Sequence, residues 1–157
     1  CYQFCAENKL PLPQLTVVGE GPDGNKLREL HASLVSKGCI NFMGMQADVQ
    51  SFYQQSDVFV LSSVAEGTPM TILEAMASGL AIIATNVGGV PQLVGGHNGW
   101  LVESDNVESM VQAMLEAILD PQSLAFKGTQ GLQMIKLNFN QSLCDKAYQS
   151  LYQSITN

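Results

Sequence analysis

Two carboxylates bracket one turn of this sequence. In SSVAEGTPMTILEAMASGLAIIAT, residues 62–85, Glu66 sits in a glycine-proline turn and Glu74 on the apolar helix behind it, with seven residues between them. Thr68 suits a helix N-cap, Pro69 the first helical position and Gly79 the residue past the end. A helix start carries unpaired N–H groups and partial positive charge, so residues 68–71 offer an anion such as a diphosphate a place to bind. Counted from Pro69, Glu74 is the sixth helical position. A capping-box glutamate would stand at the third, which is Thr71, so capping does not explain Glu74. It lies about 7.5 Å along the axis from the helix start, at about 1.5 Å per residue. A ribose diol extending from the diphosphate would reach it, because a carboxylate accepts paired hydroxyl donors. Glu66 would face the other end of the diphosphate, where a sugar would hang. Solvated surface charge is the alternative at both positions.

The elements that must position these residues are short. QLTVVG (14–19), CINFM (39–43), DVFVLS (57–62), LAIIAT (80–85) and GWLV (99–102) read as strands. Between them KLRELHASLV has the apolar spacing of a helix and ADVQSFYQQ reads as a polar one. Val107, Met110, Val111, Met114, Leu115, Ile118 and Leu119 repeat at helical spacing. Asp105 and Glu108 open that helix as N-cap and N3 pair; Pro121 stops it, and helices over about 122–137 and 141–155 follow. Apolar strands alternating with helices predict βαβ units and a parallel, doubly wound sheet, in which ligands bind at the strands' carboxyl ends.

Two glycine turns fall at such ends. GEGPDG (19–24) matches G-x-G-x-x-G after a strand and before a helix. A dinucleotide site, however, wants an acid near the end of the next strand, where FMGMQA stands and Asp48 comes too late. A tight turn, with Pro22 in the first helical turn, and a ligand-lining turn both remain open. NVGGVP (86–91) lets backbone come close to a ligand, or simply turns.

With 157 residues, 46% hydrophobic and 13% charged, the chain reads as one globular domain. A net charge of −7 argues against a reader of nucleic-acid backbone. The basic residues are Lys9, Lys26, Arg28, Lys37, Lys127, Lys136 and Lys146, so residues 38–126 contain none. A phosphate bound there leans on backbone N–H groups or on cations from elsewhere. Cys1, Cys5, Cys39 and Cys144 form no CxxC pair and read as thiols of a reducing compartment; zinc is not supported. Glu103 and Asp105 share the spacing of metal-binding acid pairs, but Asp105 is taken as a cap, and no metal is expected. No apolar run approaches the ~18 residues of a membrane span. CYQFCAENKL is no signal peptide and lacks a Met, which suggests an excised fragment.

EGTPMTILEA followed by MASGLAIIATNVGGVPQLV resembles the donor-binding C-terminal domain of retaining GT-B glycosyltransferases. The likeness is to the large bacterial family that includes lipopolysaccharide, capsule and exopolysaccharide transferases. VVGEGP, INFMG, SDVFVLSS and NGWLV fall in that family's usual order. The resemblance implies a Rossmann-like doubly wound parallel sheet of about five strands, with helices on both faces. It implies one donor-binding domain over 1–157, with the final helices 122–155 packed on it, lacking its usual first strand. That strand would be central, so a gapped or rearranged sheet is expected, with Cys1–Leu10 as the tail of the strand's helix.

The implied activity is transfer of a sugar from a nucleotide-diphosphate sugar to an acceptor with retention, without metal or separate cofactor. Carried over by position, Glu66 contacts the donor sugar and stabilises charge at the reacting carbon, with Gly67 beside it. Thr71 and Ile72 give backbone N–H groups to the phosphates, Met70 lines the same turn, and Glu74 holds the ribose hydroxyls. Gly19 and Gly21 lie near the donor, and Ile40, Asn41 and Phe42 run towards the base pocket. The implied partners are the nucleotide sugar and a missing N-terminal acceptor domain, with no nucleic acid and membrane contact only through that missing half. The implied setting is cytoplasmic, peripheral attachment of the full-length enzyme at the inner face of a membrane is left open, and the fragment alone should turn over little. This sequence departs from the family in Thr68, usually larger and apolar, and in Gln92, where an acid is common. The family's diphosphate-binding Arg and Lys come from an upstream segment. A GT-B-like epimerase or phosphorylase is an alternative that wants added acid/base groups, and His31 and His97 are the only histidines. A non-catalytic flavodoxin-like domain would want acids at a strand's end, whereas Asp57 begins its strand.

Overall fold

The computed structural model describes residues 1–155. It divides into two compact units, Cys1–Phe52 and the segment from Tyr53 onward. The first holds α1 (Tyr2–Glu7), β1 (Leu15–Val18), α2 (Gly24–Leu30), α3 (Ala32–Ser36) and β2 (Ile40–Gly44); α4 (Gln50–Gln54) spans the boundary. The second holds β3 (Val58–Leu61), α5 (Met70–Ala77), β4 (Ala81–Thr85), α6 (Val90–Leu93), β5 (Gly99–Val102), α7 (Val107–Leu119), α8 (Pro121–Asn138) and α9 (Gln141–Ile155). All five expected strands are present and every pairing is parallel. They do not form one continuous ladder: β1 pairs β2, and β3-β4-β5 make a separate sheet. A sheet that is not continuous is what the family resemblance led one to expect.

In the first unit Leu15 pairs with Ile40 and Val17 with Phe42, and the register slips after Val17. The helix read over KLRELHASLV is two helices, broken at His31, whose backbone (φ −111, ψ 24) lies outside the helical region.

The second unit is built around β4, all five of whose residues are buried. Ile83 joins Val102 of β5 and Ala113 and Ala117 of α7 in one cluster, with Trp100, Met110 and Met114 around it. Strand alternation turns Ile82 and Ala84 to the other face. From α5 come Ile72, Ala75 and Met76, none of them exposed. Each large apolar side chain so buried stabilises by about 1.5–3 kcal/mol. α8 closes over α5 and β4 through two glycines. A Cβ at Gly128 would stand 3.2 Å from the Gly79 carbonyl carbon and nearer still to its oxygen, so only glycine lets the helix come this close. Asn98, fully buried, ties the turn before β5: its amide donates to Leu93 O at 2.8 Å and its carbonyl accepts from Gly95 N at 2.8 Å.

The start of α7 differs from the sequence reading. α7 is capped by Asn106, not by Asp105 and Glu108: Asn106 Oδ1 accepts from Ser109 N at 3.0 Å. Asp105 instead takes a left-handed conformation (φ 56), which short polar residues tolerate. α9 keeps Leu143, Leu151 and Ile155 exposed, so this stripe is not packed within the described residues.

Candidate functional site

β3 leads into the loop 62–69 and then α5, so Glu66 stands beyond the carboxyl end of a strand, where the sequence placed it. Ser63, Thr85 and the glycine pair 88–89 hold it. The Ser63 hydroxyl donates to Glu66 Oε1 at 2.7 Å, and the Thr85 hydroxyl, at the end of β4, donates to Ser63 O at 2.5 Å. Behind them the glycine pair of NVGGVP presses directly on the loop. Gly89 N donates to Gly67 O at 2.9 Å, and a Cβ on Gly88 would be 2.8 Å from the Glu66 carbonyl carbon. Gly88 also has φ +52. The pair is therefore glycine because the carboxylate-bearing backbone lies against it, a reason the sequence left open.

The start of α5 lies one residue later than expected. Pro69 is the N-cap, with extended backbone (φ −72, ψ 108) and no side-chain cap, and Thr68 does not cap. Because Pro69 itself is extended, the helical run begins at Met70 and the flanking position is Pro69, one residue beyond Thr68. Ile72 N donates to Pro69 O at 3.2 Å and the Ile72 side chain is in the core. The amides ahead of it belong to Met70 and Thr71, both exposed residues, where no helical carbonyl is in reach. Glu74 becomes the fifth helical position, about 6 Å from Met70 along the axis. Its Oε2 accepts a hydrogen bond from the Tyr53 hydroxyl at 3.1 Å. Burial, and then the bond to Glu74 and its charge, push the Tyr53 phenol up to about 12. Neither Ser63 nor Tyr53 was singled out in the sequence. Tyr53 is 21 residues from Glu74, and no local spacing links them.

The first unit has its own groove of about 520 Å³ at the carboxyl end of β1. Gly19, Glu20, Gly21, Pro22, Arg28 and Phe42 are among its walls. Gly19 takes φ +118 and donates its N–H to Gly44 O at 2.8 Å, so GEGPDG makes a turn that also lines a cavity. The Arg28 guanidinium lies over the Phe42 ring, 4.9 Å from its centroid. Arg28 is a cation that the sequence reading did not place at a site; its position one turn after Gly24 was the available signal. Ile40 and Asn41 are set back at the start of β2, with Asn41 Nδ2 donating to Gly38 O at 3.3 Å. Among the described residues, no three His, Cys, Asp or Glu side chains gather as a metal site. No described helix is long and apolar enough to cross a membrane.

Parallel strands joined by helices, with Glu66 and open amides beyond a strand's carboxyl end, define an α/β protein of the doubly wound kind. Residues 5–120 match the model of the family "Glycosyl transferases group 1", and the chain belongs to that family. It is 38% identical over 116 residues to an uncharacterized glycosyltransferase of Haemophilus influenzae, covering 73% of this chain and 33% of that protein. Among solved structures it superposes on HepE of Anabaena in complex with UDP, with a TM-score of 0.80, 22% identity, and coverage of 95% of this chain and 43% of that one. It also superposes on the C-terminal domain of LpcC, a glycosyl transferase group 1 family protein of Francisella tularensis. There the TM-score is 0.69, with 22% identity over 89% of this chain and 93% of that chain. The chain thus spans about a third of the length of the curated relatives it matches.

Proposed function

We propose that this chain is the donor-binding half of a retaining glycosyltransferase that moves a sugar from a nucleotide-diphosphate sugar to an acceptor. The observation that carries this is the arrangement around α5. Glu66 is pinned by Ser63 and by the Gly88–Gly89 backbone, the Met70 and Thr71 amides open the helix, and Glu74 lies about one turn further on. Amides at a helix start suit a diphosphate. A fixed carboxylate beside the leaving diphosphate suits the positive charge that builds on the anomeric carbon as the glycosidic bond breaks. Glu66 has that role here, and Glu74 holds the ribose diol. Gly67 lets the loop pass close to the ligand. In the first unit Gly19, Gly21 and Phe42 line a groove of their own, and their donor role, like that of Ile40 and Asn41, rests on the family resemblance alone. The UDP bound by HepE supports a nucleotide donor. No Lys or Arg lies between 38 and 126, so the diphosphate charge falls to amides and to cations from outside that span; independence of a divalent metal rests on the family resemblance alone.

The test is a binding screen of UDP-, GDP- and ADP-sugars against the full-length enzyme, repeated with Glu74→Ala. Nucleotide affinity should fall in the variant while its fold is kept; unchanged affinity refutes the assignment of Glu74. Product anomers read by NMR test retention, and an inverted product would refute it. Membrane contact, where it occurs, is assigned to the acceptor-binding half.

A further inference from the structure

An exposed glutamate on a helix samples several staggered rotamers. A carboxylate that must meet two neighbouring hydroxyls gains from being aimed beforehand, because ordering it on binding costs affinity. Tyr53 supplies a fixed point for that purpose. It lies in the last turn of α4, is 9% exposed, and its ring meets Phe59 of β3 edge-on, with centroids 5.9 Å apart and planes at 66°. A ring so packed has little torsional freedom, and its hydroxyl donates to Glu74 Oε2 at 3.1 Å. An ionised carboxylate has about four lone-pair sites, so this bond leaves Oε1 and further sites for a diol.

We propose that Tyr53 is a positioning residue of the ribose site, holding the Glu74 carboxylate in the orientation that receives the diol. The proposal rests on the donor reading of Glu74 given above. The high phenol value keeps Tyr53 a donor through neutral pH, consistent with a permanent tether. The competing explanation is that a buried hydroxyl merely finds an acceptor. Under that explanation its removal costs stability but does not change discrimination for the diol.

The experiment compares Tyr53→Phe and Glu74→Gln with the parent in the full-length enzyme. Each is titrated with two probes, UDP and its 2′,3′-dideoxy counterpart, or the same pair on whichever base the screen selects. Tyr53→Phe keeps the ring contact and should weaken the ribonucleotide roughly three- to tenfold while leaving the dideoxy form within about twofold. Glu74→Gln should weaken the ribonucleotide at least as much. In that variant the alkaline titration of one tyrosine, followed by phenolate absorbance, should move towards lower pH. If Glu74→Gln binds the ribonucleotide unchanged, the donor reading falls and the proposal with it. If Glu74→Gln weakens binding but Tyr53→Phe binds both probes like the parent, or loses both equally, the donor reading stands and the positioning role is overturned.

Discussion

Gly88→Ala isolates the backbone contact that fixes Glu66. An added Cβ would sit 2.8 Å from the Glu66 carbonyl carbon, nearer to its oxygen and 3.5 Å from its nitrogen. Ordinary carbon contacts begin near 3.5 Å, so one of the two backbone segments must move by about 1 Å. The neighbour is peptide backbone, not the yielding end of a side chain. Gly88 also has φ +52, where a residue with a Cβ costs about 1–2 kcal/mol. Crowding adds about 1–3 kcal/mol, giving a loss of roughly 2–5 kcal/mol in urea or thermal unfolding. A carboxylate displaced by about 1 Å should cost on the order of 100-fold in kcat/KM of the full-length enzyme. Gly96→Ala is the control: nothing lies within 4 Å of its Cβ position, and unfolding should change by less than about 0.5 kcal/mol. A Gly88→Ala protein with parental midpoint and turnover would refute the argument that this pair exists to seat Glu66.

Three further outcomes are expected. Asn98→Leu leaves the Leu93 carbonyl and the Gly95 amide without their partner in a buried turn, and urea unfolding should show a loss of roughly 2–4 kcal/mol. Asn106→Ala removes the α7 cap and should cost about 1 kcal/mol, whereas Asp105→Ala should not show the loss of a cap. Tyr53 favours the protonated phenol in the folded state, so its contribution is fully present below pH 10 and is lost as pH rises towards about 12. Unfolding midpoints measured across that window should fall less steeply in Tyr53→Phe than in the parent.

Alternation of apolar strands and helices made the parallel α/β class legible, and β4 shows why: a strand buried along its whole length has no polar face to disguise it. The division into two sheets was legible only through the family resemblance, because register depends on partners that single-strand patterns do not encode. Helix starts were misread where two polar residues competed. At Asp105–Asn106 the choice turned on which residue took the left-handed conformation, and at Thr68–Pro69 on the proline's own extended ψ. Glu66 and Glu74 were legible from their spacing around a turn. Their tethers were not: Ser63 looks like any loop serine, and Tyr53 lies in a helix read only as polar. The role of the glycine pair at 88–89 needed the opposing backbone to be seen.

The glycine contact between α8 and the turn that follows α5 fixes where this half of the molecule can yield. At Gly128 the two chains meet main chain to main chain, and Gly131 lies against Met76. At Gly128 there is no side chain to rotate and absorb a displacement, so the rear of α5 behaves as an anvil. Adjustment to an incoming molecule then falls to the exposed pair Val64–Ala65, since Gly67 is held by Gly89. Accommodation in this unit is one-sided: Val64 and Ala65 can give, and the helix stays.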